Sequence, residues 1–145
     1  MFKLKYDKRY QNQIYTKYEL TFPEEDYYYL EENIFCVADG VTRDLVGGDI
    51  RPYPQAKEEA QYIAEHYPNP SGAYESSKII ANNFVKYMKQ NKENKSEEAV
   101  KQAIRKANKD VWEINKDRNI DYVGEDLYCS EAVGGIITEE YLYCF

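Results

Sequence analysis

Apolar and polar residues alternate along the first third of the chain, which is the pattern of β-strands with one buried face. The alternation is clear in FKLKY and in NQIYTKYEL. Two further runs, DYYYLEE and NIFCVAD, predict a hairpin whose turn is formed by Glu31, Glu32 and Asn33. Because NIFCVA is continuously apolar, it predicts a strand that is covered on both faces.

The middle of the chain changes to a helical period. Proline and glycine punctuate residues 47–70, where a short helix is predicted over about residues 55–66. A second helix is predicted to begin near Ser71, a good N-cap residue, and to end near residue 89. The third predicted helix, residues 96–117, has the clearest apolar stripe at helical spacing. That stripe consists of Val100, Ala103, Ile104, Ala107, Val111 and Ile114.

The last part of the chain returns to a strand pattern. AVGGIITEEYLYCF predicts a hairpin with strands over residues 132–138 and 141–145 and a turn at Glu139 and Glu140. The order of strands, helices and strands predicts an α+β fold, an antiparallel β-sheet packed with long α-helices on one face. The last apolar strand is expected to expose an unpaired edge, through which the chain would associate with a second copy.

Composition and charge narrow the possible partners. A chain of 145 residues is long enough for one domain with a hydrophobic core. The net charge of −7 argues against nucleic acid as the main partner, because phosphate backbones are bound by basic patches. No apolar run is long enough to cross a bilayer, and the N-terminus lacks the apolar region of a signal peptide. We therefore expect no membrane partner.

Histidine and cysteine content excludes some kinds of site. The only histidine, His66, argues against a histidine-based zinc site and against a Ser-His-Asp triad. The three cysteines have no metal-ligand spacing. Reduced, buried thiols in a cytoplasmic protein are the expectation.

The candidate chemistry lies where the run NIFCVA ends in Asp39 and Gly40. The carboxylate of Asp39 and the backbone carbonyl of Gly40 offer two adjacent oxygen ligands, which Mg²⁺ and Mn²⁺ prefer. Asp26 precedes the first strand of the predicted hairpin, so it is expected at the same end of the sheet as Asp39. An Asp-Gly pair is also a common turn, in which the carboxylate accepts from backbone N–H groups. The pair alone leaves both interpretations open.

The order of these pieces resembles the N-terminal half of the metal-dependent protein phosphatases of the PP2C type. In that family an acidic ED pair precedes a strand, the next strand ends in DG, and two long helices, a strand and a hairpin follow. The corresponding pieces here are PEEDYYYLEENIFCVADGVTRD, the helices after Ser71 and Ser96, and CSEAVGGIITEEYLYCF. The resemblance covers roughly residues 21–145. It implies an αββα layered sandwich, of which residues 1–145 would be a single N-terminal portion.

The resemblance also implies an activity and a set of site residues. In the family, the aspartate of DG bridges two metal ions, Mn²⁺ or Mg²⁺, and the glycine carbonyl binds one of them. A metal-activated water attacks a phosphoserine or phosphothreonine of a protein substrate. By this resemblance Asp39 and Gly40 are metal ligands, and Asp26 orients the metal-bound water. The remaining metal-binding aspartates of the family come from a C-terminal half, so this chain is expected to be inactive alone.

Departures from the family pattern keep alternatives open. VTRD replaces the usual glycines after DG, and KYELTFP lacks the arginine that often precedes ED. Arg43 is the candidate replacement for holding phosphate, because a guanidinium matches phosphate oxygens. General experience with surface arginines favours the alternative, an exposed arginine or one paired with Asp44. Cys129, Ser130 and Glu131 replace the usual Gly-Thr-Thr. The alternatives are a non-catalytic PP2C-like regulatory or protein-binding module, and a generic α+β domain in which Asp-Gly is a turn.

Overall fold

The computed structural model describes residues 25–41, 56–66, 68–91, 95–118 and 127–145. Within them, two strands are followed by three helices and two strands. The bounds are β1 Tyr27–Glu31, β2 Ile34–Gly40, α1 Lys57–His66, α2 Gly72–Gln90, α3 Glu97–Asp117, β3 Ser130–Ile137 and β4 Leu142–Cys144. The predicted strands in FKLKY and NQIYTKYEL lie outside the described residues.

The four described strands form one antiparallel sheet in the order β1-β2-β3-β4. The predicted first hairpin is confirmed, but its turn is shorter than predicted. Glu31 pairs with Ile34, so the turn consists of Glu32 and Asn33, and Glu32 adopts a positive φ of 56°. The second hairpin turns at Glu139 and Glu140 as predicted, between β3 and β4.

The long helices pack on one face of this sheet. α2 contacts β1, β2 and β3, and α3 packs against α2. Ser71 and Ser96 are the N-caps, as predicted, because their side chains accept from the backbone N–H groups of Tyr74 and Ala99. The buried apolar core consists of Ile34, Cys36, Ala38, Ile80, Ala81, Phe84, Val85, Met88, Ala99, Val100, Ala103, Ala107, Val111 and Ile136. The predicted α+β class with long helices on a sheet is therefore confirmed.

The opposite face of the sheet is exposed in the described part of the chain, which corrects the expectation that β2 is covered on both faces. Cys36 and Ala38 are buried, whereas Val37 is 46% exposed and its cross-strand partner Val133 is 51% exposed. Burial alternates along β2 because α2 packs on one face of the strand only. The αββα layering implied by the resemblance stays a prediction.

β4 lies at one edge of the described sheet and pairs there with β3. Leu142 on β4 and the neighbouring Tyr141 are 58% and 59% exposed. Association of two copies through this edge stays a prediction, which sedimentation velocity at rising protein concentration would test. None of the described helices is long and apolar enough to span a membrane.

Differences in cysteine burial predict different thiol reactivities. Cys36 lies on β2, the strand between β1 and β3, and its side chain is fully buried. Burial raises the pKa of its thiol to about 12. Because the thiolate is the reactive form, iodoacetamide should leave Cys36 unmodified in the native protein at mildly alkaline pH. The exposed Cys144 should react under the same conditions. Peptide mass spectrometry measures both, with urea-unfolded protein as the control, and rapid native modification of Cys36 would contradict its burial.

Candidate functional site

Three acidic residues lie at the same end of the sheet, namely Asp39 on β2, Glu131 on β3 and Asp26 directly before β1. Asp39 lies near the end of β2 and is exposed on the face opposite the helices. Its cross-strand partner on β3 is Glu131, which is also exposed. On the other side, the pairing of β1 with β2 begins at Tyr27 and Ala38, and Asp26 is the residue before it. Asp26 and Asp39 thus lie at the same end of the sheet, and their direct contact stays a prediction.

The hydrogen bonds between β2 and β3 define the distance between Asp39 and Glu131. The Val41 N–H donates to the Cys129 carbonyl at 3.0 Å, which makes this position a hydrogen-bonded pair. Hydrogen-bonded pairs recur at every second position, so Asp39 and Glu131 form the next one. The Cα atoms of such pairs are about 5.5 Å apart.

Asp26 lies one position before β1, whose pairing with β2 begins at Tyr27 and Ala38. The two-residue turn makes Glu31 and Ile34 a hydrogen-bonded pair, so Tyr27 and Ala38 are one as well. If the same register continued by one residue, Asp26 and Asp39 would face each other at a non-hydrogen-bonded position, where Cα atoms are about 4.5 Å apart. Strand alternation places Asp26 on the face opposite its neighbour Glu25, whose side chain contacts α2.

Adjacent carboxylates give this end of the sheet a local excess of negative charge. Like charges directly opposite each other on neighbouring strands destabilise a sheet. A divalent cation bound among the carboxylate oxygens reverses the sign of that interaction. The carboxylates at this end of the sheet supply oxygen atoms, which are the ligands that hard cations prefer.

Gly40 lies at a point where three elements approach each other closely. A Cβ atom at this position would lie 2.7 Å from the carbonyl carbon and oxygen of Ala73 and 2.7 Å from the backbone oxygen of Glu25. Only glycine allows α2 and the start of β1 to pack this closely on the end of β2. The structure therefore gives Gly40 a packing role, in addition to the ligand role that the resemblance implies.

Glu25 is the main residue at this site that the sequence interpretation missed. Its side chain is buried, with 5% exposure, and its carboxylate accepts a hydrogen bond from the Ser71 hydroxyl. Ser71 was predicted as the N-cap of α2, but nothing in the sequence pattern indicated its partner. The available signal was the pair of adjacent acids, Glu25 and Asp26, since alternation along a strand sends their side chains to opposite faces.

Glu131 was also missed as a member of the site. In the sequence, Glu131 is only one of the residues that replace the usual Gly-Thr-Thr. Its place beside Asp39 depends on the pairing of β3 with β2, which was not predicted. Its neighbour Ser130 pairs with Gly40, and the Ser130 hydroxyl is buried without a hydrogen-bond partner in the described part of the chain. The end of β3 thus contributes polar side chains next to both Asp39 and Gly40.

The structure brings together only part of the predicted site. Asp26, Asp39 and Gly40 lie at one end of the sheet, whereas Arg43 lies outside the described residues. No group of three or more His, Cys, Asp or Glu side chains in the described ranges is arranged closely enough to hold a metal ion. The described carboxylates therefore offer part of a coordination sphere at most.

Comparison with known proteins gave no match: no protein-family model, no curated protein and no solved structure matches this chain.

Proposed function

We propose that this chain is the N-terminal part of a PP2C-like, metal-dependent serine/threonine protein phosphatase. The observation that supports the proposal is the position of Asp39 at the exposed end of β2, with Asp26 directly before the first paired residue of β1 at the same end of the sheet. The close packing of Gly40 behind Asp39 supports it, because this packing fixes the backbone next to the carboxylate. The proposed substrate is a phosphorylated protein, and the proposed location is the cytoplasm, in keeping with the free cysteines.

The proposed roles follow from the chemistry of each group. The carboxylate of Asp39 and the carbonyl of Gly40 would hold Mn²⁺ or Mg²⁺, as hard oxygen ligands do, and a complete domain would hold two ions. The bound metal supplies a water of lowered pKa for attack on the phosphoryl group. Asp26 would accept a hydrogen bond from a water at the metal and so orient it, and Arg43 is the proposed partner of the substrate phosphate. Further ligands must come from outside the described residues.

Hydrolysis of a small aryl phosphate tests the proposal. We would use the full product of the reading frame, with and without Mn²⁺, and compare it with the variant Asp39→Asn. Turnover should require the metal and disappear in Asp39→Asn, because a proposed carboxylate ligand of the metal is lost. Asp117→Asn is the matched control, since Asp117 is an exposed acid at the end of α3. Full activity without divalent metal would refute the proposal.

The alternative is a non-catalytic PP2C-like module that binds a protein partner. One observation favours it, namely that the described residues lack a group of three metal-ligating side chains. The same assay separates the two functions. A folded full-length product that neither binds Mn²⁺ nor hydrolyses the aryl phosphate would support the binding module.

A further inference from the structure

A buried carboxylate lies directly before Asp26 and is tied to the start of α2. Glu25 is 5% exposed, and its carboxylate accepts from the hydroxyl of Ser71, which is 1% exposed. The same hydroxyl oxygen accepts from the backbone N–H of Tyr74 at 3.1 Å, so Ser71 caps α2 while it binds Glu25. Burying a carboxylate is costly unless it is hydrogen-bonded, and a helix N-terminus favours negative charge. These contacts define the position of the Glu25 side chain.

Both neighbours of Asp26 are packed against the first turn of α2. On one side, Glu25 binds Ser71, and its backbone oxygen lies close to Gly40. On the other side, the ring of Tyr27 packs edge-on against Tyr74, with 6.2 Å between centroids. The backbone of Asp26 is thus held from both sides, while strand alternation directs its own side chain to the other face of the sheet.

We infer that Glu25 and Ser71 form a positioning pair that fixes the start of β1 on α2 and thereby keeps Asp26 beside Asp39. The inference rests on the proposed function in one respect, namely that these two aspartates serve a metal ion. Asp26 lies just before the first paired residue of β1, where a strand frays most easily. Loss of the pair would separate the two carboxylates without removing either of them.

Two variants break or weaken the pair while sparing the aspartates. Ser71→Gly removes the hydroxyl, but glycine is itself an accepted N-cap residue, so α2 keeps its start. Glu25→Gln keeps an acceptor oxygen and removes the charge, which weakens the hydrogen bond from the Ser71 hydroxyl. Ser77→Ala is the matched control, because Ser77 is also buried on α2 and its hydroxyl donates to the Ala73 carbonyl at 3.1 Å. Ser71→Thr, which restores a hydroxyl, is the conservative rescue.

Titration of each variant with Mn²⁺, followed by electron paramagnetic resonance of the free ion, measures metal affinity. Ser71→Gly and Glu25→Gln should each weaken binding about tenfold, as expected for groups that hold a metal ligand in place. The double variant should bind Mn²⁺ about as tightly as the single variant of lower affinity, because the two residues act as one unit. Ser77→Ala and Ser71→Thr should bind like the parent chain. If a folded Ser71→Gly variant binds Mn²⁺ as tightly as the parent chain, the inference is wrong.

A metal-free measurement separates this inference from the proposed function. At a non-hydrogen-bonded antiparallel position the two α-protons are close, so the parent chain should show a nuclear Overhauser effect between Asp26 and Asp39. That signal should persist in Ser77→Ala and disappear in Ser71→Gly. If the full product of the reading frame binds no Mn²⁺, the proposed function fails, and the signal still decides the positioning role. An unchanged signal in Ser71→Gly overturns the inference whatever the metal result.

Discussion

Replacing Gly40 with alanine should lower the free energy of unfolding by about 3 kcal/mol, the upper end of the usual cost of overpacking a core. The new methyl group would lie 2.7 Å from backbone atoms of both Ala73 and Glu25. Backbone atoms of a capped helix and of a paired strand cannot rotate away as a flexible side chain does. The start of α2 or the residues before β1 must therefore move, at a cost of roughly a fifth to three fifths of a typical domain stability of about 5–15 kcal/mol.

Urea denaturation followed by far-ultraviolet circular dichroism measures this effect. Val133→Ala is the control, because Val133 is 51% exposed on β3 and its truncation should cost less than about 1 kcal/mol. If Gly40→Ala unfolds at the same urea concentration as the parent chain, α2 does not pack as closely on β2 as the structure indicates. In that case only a ligand role would remain to explain the glycine.

The helices were predictable because their signals are local. Ser71 and Ser96 are N-cap residues at the starts of apolar patterns with a helical period, and both caps are confirmed. In α3, the residues Val100, Ala103, Ala107 and Val111 of the predicted stripe are buried. Capping and periodicity depend only on residues within a few turns, so the rest of the fold does not alter them.

The exposure of one face of β2 was not predictable from its residues. The buried face carries small residues, Cys36 and Ala38, whereas the exposed face carries Phe35 and Val37. Hydrophobicity therefore does not alternate along the strand although burial does. Exposed apolar residues are common on protein surfaces, and a continuous apolar run does not reveal how many of its faces are covered.

Only half of the candidate site was predictable, for a related reason. Asp26 and Asp39 flank one hairpin, so their common end of the sheet was predictable, although the predicted three-residue turn gives a register shifted by one from the observed pairing. Glu131 reaches Asp39 through pairing between strands that are distant in sequence, and Glu25 meets Ser71 across 46 positions. Such contacts depend on how the helices and strands assemble. The sequence near each residue carries no signal for that assembly.

Asp39→Asn should have opposite effects on stability in the absence and in the presence of divalent metal. Without metal, the substitution removes one of two like charges that face each other on β2 and β3. It should then raise the free energy of unfolding by about 0.5 kcal/mol. A higher free energy of unfolding for metal-free Asp39→Asn would show that the carboxylates of the parent chain repel each other. Such repulsion is expected where carboxylates are retained for binding.

With Mn²⁺ present, the parent chain should be more stable than Asp39→Asn. At a free Mn²⁺ concentration about ten times the dissociation constant, the parent chain gains about 1.4 kcal/mol, because the ion binds the folded state alone. Asp39→Asn should gain little, since an amide is a weaker ligand than a carboxylate for a hard cation. Thermal unfolding in chelator and in Mn²⁺ measures both states, with Asp117→Asn as the control for removal of one negative charge. Equal stabilisation of parent and Asp39→Asn by Mn²⁺ would place the ion elsewhere and leave Asp39 and Gly40 as a strand end and a packing contact.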